Sequence, residues 1–285
     1  MKTLRNFIML CRPQQWYKNL LVFLAVFFSG NLMNLNPVLV SVYAFIILVA
    51  VSSGNYIIND IIDAKKDRLN PEKKKRPIAS RKIKIRQAAV FASLLIFLSL
   101  FFSAWINMNF FYSVLALFLI SLAYSIALKK IFLVDAITIS SNFVIRAVSG
   151  AFAISVFVSP WLVAGIFIFA FFLVSGKRYG EVSLLGKNAE KHRAVLKYYT
   201  KKSAKAMMYT FALLLLLCFA LFSWFGHRIL LWNSLLFACL VARYLQLAIE
   251  NPAIAANPER AFSDRLLLVS SVIFIIVSAI ILYAK

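Results

Sequence analysis

The stretch NDIIDAKKDRLNPEKKKRPI, residues 59–78, places a group of acidic and amide side chains just before a dense run of Lys and Arg. Asn59, Asp63 and Asp67 are spaced four residues apart, and Asp60 lies three residues before Asp63. On a helix these positions fall along one face. Oxygen ligands of this kind suit Mg²⁺, which usually bridges to substrate phosphates. The stretch therefore predicts a phosphate-handling site at the end of a hydrophobic helix.

The basic run after the acidic group can bind anions. Such a run is also typical of a loop that holds anionic lipid, and this alternative stays open for most of its members. Arg76 stands apart because Pro77 follows it directly and because a planar guanidinium binds phosphate through two hydrogen bonds. We expect Lys73 and Arg76 to bind substrate phosphate.

The composition is that of a membrane protein. The 285 residues are 62% hydrophobic with a mean hydropathy of +0.84, whereas soluble domains are about 45–50% apolar. We predict an all-α membrane protein with nine transmembrane helices and one polytopic domain over residues 1–285; a homo-oligomer stays open. The expected spans are 18–33, 38–62, 88–107, 110–128, 134–157, 161–175, 204–224, 230–249 and 266–284.

The net charge of +22 is sorted by loop, which indicates membrane topology and not nucleic-acid binding. All but three of the 32 Lys and Arg residues fall in loops or near span ends on one side; the exceptions are Arg146, Arg228 and Lys285. By the positive-inside rule that side is cytoplasmic. We therefore predict an integral cytoplasmic-membrane protein with its N-terminus inside, its C-terminus outside and a polar cavity that faces the cytoplasm.

Further charged residues lie near the ends of the other spans. Lys177-Arg178-Tyr179-Gly180-Glu181 ends the sixth span, where cations also complement the helix dipole. In the functional interpretation the two cations hold phosphate, and Glu181 contacts sugar hydroxyls or orients a cation. Arg146 lies inside the fifth span, where an isolated charge is costly and usually functional. We expect Arg146 to bind phosphate.

Other candidates flank these groups. Asp135 begins the fifth span, and Tyr124 and Lys129 lie beside the same turn and are expected to close the pocket. Asp135 lies eleven residues before Arg146, which is too far along one helix for the two side chains to pair directly. Arg12 and Lys18 occupy a basic and aromatic segment that could contact lipid phosphate or only anchor the first helix. No Ser–His–Asp set, Walker loop or GxGxxG sequence occurs, which argues against covalent catalysis and NTP hydrolysis.

Residues 59–80 resemble the first aspartate-rich motif of the UbiA-type intramembrane transferases, NDxxDxxxD followed by RPI. The resemblance implies a nine-helix bundle with a cytoplasmic-facing cavity and Mg²⁺ held by Asn59, Asp63 and Asp67, with Asp60, Asp63 and Asp67 as catalytic residues. Most members carry a second aspartate-rich motif at the end of the sixth helix. This chain has KRYGE at 177–181 instead.

That departure resembles the decaprenyl-phosphate phosphoribosyltransferase branch of the superfamily. The similar segments are RPQQWYKN at 12–19, the stretch that begins NYIIND at Asn55, YSIALKKIFLVD at 124–135, RAVSGA at 146–151 and SGKRYGE at 175–181. The resemblance implies transfer of 5-phosphoribosyl from phosphoribosyl diphosphate to a polyprenyl phosphate. It also implies that Asn55, Lys177, Arg178 and Tyr179 belong to the substrate site.

Two other functions remain as alternatives. A UbiA-type prenyltransferase would need a second acidic metal site, and residues 177–205 offer only Glu181 and Glu190 among many basic residues. A lipid-phosphate transporter or binding protein would need polar groups at both membrane faces, but the outer loops carry almost no charge.

Overall fold

The computed structural model is built of helices and short turns. It describes residues 2–69, 73–225 and 228–283, and these ranges contain no β-strand. Within them, eight helices are long and apolar enough to cross a membrane, which confirms an all-α integral membrane protein. We label them α1 (Leu35–Ile62), α2 (Ile85–Ile106), α3 (Met108–Ile126), α4 (Val134–Ala153), α5 (Pro160–Leu185), α6 (Lys201–Phe225), α7 (Ser234–Glu250) and α8 (Arg265–Tyr283).

Shorter helices connect the long ones. The short α-helices are Lys2–Leu10, Phe23–Phe28, Ala64–Leu69, Ala189–His192 and Pro252–Ala256. The 3₁₀ helices are Pro13–Val22, Lys73–Lys75, Leu128–Lys130, Gly186–Asn188, Ala194–Tyr198, Arg228–Asn233 and Pro258–Ser263. Arg228–Asn233 runs directly into α7, and the two together make the seventh of the eight candidate spans.

The first predicted span has a different structure. In place of one long α-helix over 18–33, the 3₁₀ helix Pro13–Val22 continues into the six-residue α-helix Phe23–Phe28. A polar turn follows, in which Gly30 adopts a left-handed conformation and Asn31 and Asn34 bond to each other. This turn ends the helix early, so the predicted count of nine transmembrane helices is not confirmed.

The chain divides into two compact units. Unit one consists of Met1–Lys129 and Asn142–Val158, and unit two of Lys130–Ser141 and Ser159–Lys285. Helix α4 therefore contributes its first residues to unit two and the rest to unit one. The prediction of a single domain over residues 1–285 stays a prediction.

In unit one, α1 packs along α2 and α3. Apolar side chains from these helices, including Leu48, Phe110 and Leu117, form a fully buried core. The 3₁₀ segment approaches α4 very closely, since a methyl group at Gly150 would lie 2.0 Å from the Val22 carbonyl oxygen. Only glycine permits this contact between the two backbones.

In unit two, α5 packs along α6 and the short helix Pro252–Ala256. A methyl group at Gly180 would lie 2.4 Å from the Ala256 backbone nitrogen, so this glycine serves helix packing. Asp264 caps α8 by accepting a hydrogen bond from the Leu267 N–H at 2.8 Å. Ser278 is the only buried residue of α8 and nearly half of its side chains are exposed, which is the pattern of a lipid-facing helix.

Candidate active site

The acidic group lies where α1 ends. The helix stops at Ile62, and Asp63 is its C-cap residue with φ −87° and ψ 1°. The chain then begins a separate short helix, Ala64–Leu69, which carries Asp67. This break interrupts the single helical face expected from the spacing, and the four polar residues separate into two groups.

The first group contains Asp60, Asp67 and two arginines. Asp60 is buried and accepts hydrogen bonds from Arg12 and from Arg76, the latter at 2.9 Å. Arg76 also donates to Asp67 at 2.7 Å, so one guanidinium bridges two buried carboxylates. Arg12 lies over the Tyr56 ring and has a left-handed backbone, which is uncommon for a residue with a side chain. The two arginines are partly exposed and keep further N–H donors for an anion.

The second group contains Asn59, Asp63 and Lys129. The Lys129 ammonium lies 2.9 and 3.0 Å from the two Asp63 carboxylate oxygens. The Asn59 amide oxygen lies 3.5 Å from the same nitrogen. Oxygen atoms from two residues of α1 and its cap therefore converge on one positively charged atom.

The donor set of the second group fits a divalent cation. The Lys129 ammonium occupies a point of positive charge that amide and carboxylate oxygens share, and hard cations prefer such oxygens. Mg²⁺ often takes only one or two protein ligands and completes its shell with water and substrate phosphate. No cluster of three or more His, Cys, Asp or Glu side chains that could hold a metal occurs in the part of the chain that the structure describes. Asn59 and Asp63 are thus the residues best placed for the ion, while Asp67 is held by Arg76.

Arg146 is buried inside unit one and is held by neutral groups. Its guanidinium donates to the Asn19 amide oxygen at 2.9 Å, to the Asn142 carbonyl at 2.8 Å and to the Ser52 hydroxyl at 3.4 Å. Within residues 2–69, 73–225 and 228–283 it forms no salt bridge. Burying a cation among neutral partners is costly, which favours a role in binding an anion.

Unit one also contains the predicted residues Lys18, Asn55, Lys73 and Tyr124. Lys18 lies over the Tyr17 ring at 5.9 Å, and Tyr124 is half-buried. Burial lowers the pKa of Lys73, and repulsion from Arg76 lowers it further. Asn55 is buried one helical turn before Asn59.

In unit two, the KRYGE segment belongs to a buried ionic network. Arg178 is fully buried and binds Asp135 at 2.8 Å and also Glu181, three residues further along α5. Arg193 reaches the same Asp135 oxygen at 3.4 Å. Tyr179 lies in the apolar core, and Lys177 is half-buried. These contacts favour a structural role for Arg178 and Glu181, and their predicted substrate contacts stay predictions.

Tyr199 lies close enough to this network for Asp135 and Arg178 to affect its pKa. Burial raises the pKa of Tyr199, and the negative charge of Asp135 raises it further. Its hydroxyl is buried and has no hydrogen-bond partner among the described residues.

Several contact residues were missed from the sequence. Asn19 ends the segment at 12–19 but was not singled out as a contact residue, and Ser52, Arg193 and Tyr199 belong to none of the candidate groups. The sequence singled out Arg146 as an isolated charge, but it did not show which side chains contact it.

The comparison with protein families decides the classification. The model of the UbiA prenyltransferase family matches residues 19–272. The chain belongs to the UbiA prenyltransferase family. This UbiA-family chain is 33% identical over 221 residues to decaprenyl-phosphate phosphoribosyltransferase from Mycolicibacterium smegmatis, covering 76% of this chain and 70% of the relative. The protein of the same name from Mycobacterium tuberculosis is 31% identical, with 74% and 72% covered.

Solved UbiA structures share the fold. A UbiA homolog from Archaeoglobus fulgidus bound to GPP and Mg²⁺ superposes with a TM-score of 0.74 at 18% identity, covering 98% of this chain and all of the homolog. An apo UbiA homolog from Aeropyrum pernix gives a TM-score of 0.63 at 16% identity, with 92% and 96% covered. At these identities the likeness establishes the fold of the UbiA-family chain.

Proposed function

We propose that this chain transfers the 5-phosphoribosyl group from phosphoribosyl diphosphate to a polyprenyl phosphate such as decaprenyl phosphate, and releases diphosphate. The observation that carries the proposal is identity above 30%, over about three quarters of the chain, to enzymes with that name. The cation-rich site of unit one supports it, because both the donor and the acceptor are phosphate esters.

The residues of unit one divide into two tasks. Asn59 and Asp63 would hold Mg²⁺, with Asp67 as a third oxygen donor if Arg76 releases it. When bound, the ion would neutralise negative charge on the diphosphate leaving group. Asp60 anchors Arg12 and Arg76, so we assign it a positioning role in place of the predicted catalytic one. The other cations predicted for this site would bind the diphosphate: Arg12, Lys18, Lys73, Arg76 and Lys129.

The reaction requires little proton transfer. The bond between ribose C1 and the diphosphate oxygen breaks, and a bond between C1 and an oxygen of the lipid phosphate forms on the opposite face, which inverts the anomeric centre. A phosphate monoester is already anionic at neutral pH, so no general base is needed. The chain contributes by positioning both anions and by stabilising the negative charge that develops on the leaving diphosphate.

The membrane arrangement follows from the loop charges. The N-terminus, the acidic site and a polar cavity would face the cytoplasm; the C-terminal residues 284 and 285 lie outside the described part of the chain. The segment of 3₁₀ and α-helix from residues 13 to 28 would provide the ninth crossing. With rises of about 2.0 Å and 1.5 Å per residue, it can extend about 30 Å, the thickness of the hydrocarbon core.

The proposal is tested with purified protein in nanodiscs. Radiolabelled phosphoribosyl diphosphate with decaprenyl phosphate and Mg²⁺ should give a labelled lipid, and diphosphate release should require the lipid. A parallel reaction supplies a prenyl diphosphate with an aromatic acceptor. Transfer only in the second reaction would establish the prenyltransferase alternative, and binding without turnover in both would favour a transport protein.

A further inference from the structure

Asn55 is a buried polar residue without partners. It lies in the interior of α1 with 7% of its surface exposed. Neither its amide nitrogen nor its amide oxygen has a hydrogen-bond partner in the described ranges 2–69, 73–225 and 228–283. A buried amide that makes no hydrogen bond is destabilising, because it has lost its hydrogen bonds to water and gained none in the protein. Among the described residues, Asn55 is the only one with two buried side-chain atoms that lack a partner, so its donor and its acceptor are both available to a ligand.

Asn55 belongs to a polar stripe on α1. Ser52, Asn55, Asn59 and Asp63 follow one another at intervals of three or four residues, so they lie on one helix face. At one end of the stripe Ser52 accepts a hydrogen bond from Arg146. At the other end Asn59 and Asp63 contact the Lys129 ammonium. From Ser52 to Asn59 the helix rises about 10 Å.

A cation therefore contacts each end of this stripe, Arg146 at one end and Lys129 at the other, and the Asn55 amide lies between them. An amide offers one donor and one acceptor side, which a hydroxyl can satisfy together, whereas a phosphate can only accept and a hydrocarbon chain can do neither. A ligand that matches the stripe carries an anion at each end and hydroxyl groups between them. Phosphoribosyl diphosphate has this arrangement, with a 5-phosphate, the ribose hydroxyls and a 1-diphosphate. A prenyl diphosphate has an anion at one end only.

We infer that Asn55 binds a ribose hydroxyl of the donor and that Arg146 binds its 5-phosphate, so that α1 selects a phosphorylated sugar over a prenyl diphosphate. This inference rests on the proposed function. The amide is enclosed in the free chain, so neighbouring side chains shift when the donor binds. Because an unsatisfied buried amide remains when the hydroxyl is missing, the site should reject deoxy donors.

The first experiment uses the unaltered protein. Transfer to decaprenyl phosphate is measured with phosphoribosyl diphosphate and with its 2-deoxy and 3-deoxy analogues. Removal of the contacted hydroxyl should lower kcat/KM by about 10- to 100-fold. If both analogues react as well as the natural donor, the Asn55 amide makes its hydrogen bonds to buried water only, and the inference is wrong. Failure of all three donors would instead overturn the proposed function.

The second experiment compares variants. Asn55→Ala should lose most of the discrimination between the natural and the deoxy donor, because the group that reads the hydroxyl is gone. Asn55→Ser serves if the alanine variant does not fold. The control is Asn233→Ala, which removes a buried asparagine of unit two that is bonded to Ser278 and should keep the full discrimination. Unchanged discrimination in both Asn55 variants would overturn the inference.

Discussion

Each unit contains an aspartate that two arginines share, and the two clusters differ because one arginine of unit two is fully enclosed. In unit one, Asp60 binds Arg12 and Arg76, whose side chains are 21% and 26% exposed. In unit two, Asp135 binds Arg178, which is fully buried, and Arg193, which is 22% exposed. An enclosed guanidinium with two carboxylate partners has its charge already balanced. An arginine at a partly open surface can bind a further anion.

The comparison shows that residue type alone does not separate a binding cluster from a structural one. Both clusters are Arg–carboxylate networks at or near helix ends, and both were singled out for phosphate binding from sequence. Arg76 and Arg178 each bind two carboxylates, so the complete burial of the Arg178 guanidinium is what distinguishes the clusters. Changes in unit one should therefore act on turnover, and changes at Arg178 on stability.

The largest effect is expected at the proposed metal ligand. Asp63→Ala should lower kcat by about 1,000-fold or more, because the charge on the departing diphosphate loses its stabilisation. The thermal midpoint in detergent should stay near that of the unaltered protein, since Asp63 is partly exposed at a helix end. Activity close to normal in the labelled-lipid assay would rule out the metal assignment.

The next effect is expected in the buried network of unit two. Arg178→Met removes the cation that Asp135 and Glu181 share, and loss of one buried partner typically costs about 3–5 kcal/mol. Thermal unfolding of the purified variant measures this loss. Adding Asp135→Leu and Glu181→Leu should restore part of the stability. A stable Arg178→Met protein with lost donor binding would show instead that unit two binds phosphate through this residue.

A smaller effect is expected from Asp60→Asn. The amide keeps the shape of the side chain but holds Arg12 and Arg76 less firmly, so KM for phosphoribosyl diphosphate should rise about tenfold while kcat changes less. Steady-state kinetics separate the two parameters, and Asp60→Glu should recover part of the affinity. A loss of kcat as large as that of Asp63→Ala would return Asp60 to the catalytic group.

The smallest effect is expected outside both clusters, at Asp264. Hydrogen bonds from Arg243 and from the Leu267 N–H hold the pKa of Asp264 below its usual range. The ionised form therefore stabilises the fold above the usual carboxyl pKa, and this contribution is lost as pH falls through the lowered value. Asp264→Asn should lower the thermal midpoint slightly at pH 7, and the difference should vanish in strong acid. A difference that persists there would point to a packing change.

Much of the fold was predictable because long apolar runs must form helices in a membrane. Eight of the nine predicted spans are present as helices. The segment at residues 13–28 differed because hydrophobicity does not distinguish a 3₁₀ helix from an α-helix, and because the polar turn at Gly30 shortens it.

The pairing within the site was less predictable. The spacing predicted that Asn59, Asp63 and Asp67 share one helix face. The helix ends at Ile62, however, and Asp67 lies on the next short helix, where it binds Arg76. The contact between Asp135 and Arg178 joins residues 43 positions apart, and a sequence shows no sign of such a pair. Residue types thus indicate the chemistry, whereas backbone breaks and distant contacts decide which groups meet.

The sparse packing of α8 has a practical consequence for work on the isolated protein. Only 6% of its most apolar stretch is buried, and the hydrogen bond between Asn233 and Ser278 is one of the few polar contacts that attach it to unit two. Its position therefore depends on the surrounding amphiphile more than that of any other long helix. Harsh solubilising agents should detach this terminal segment first, so mild extraction and lipid supplementation are the conditions under which assays will report on the intact enzyme.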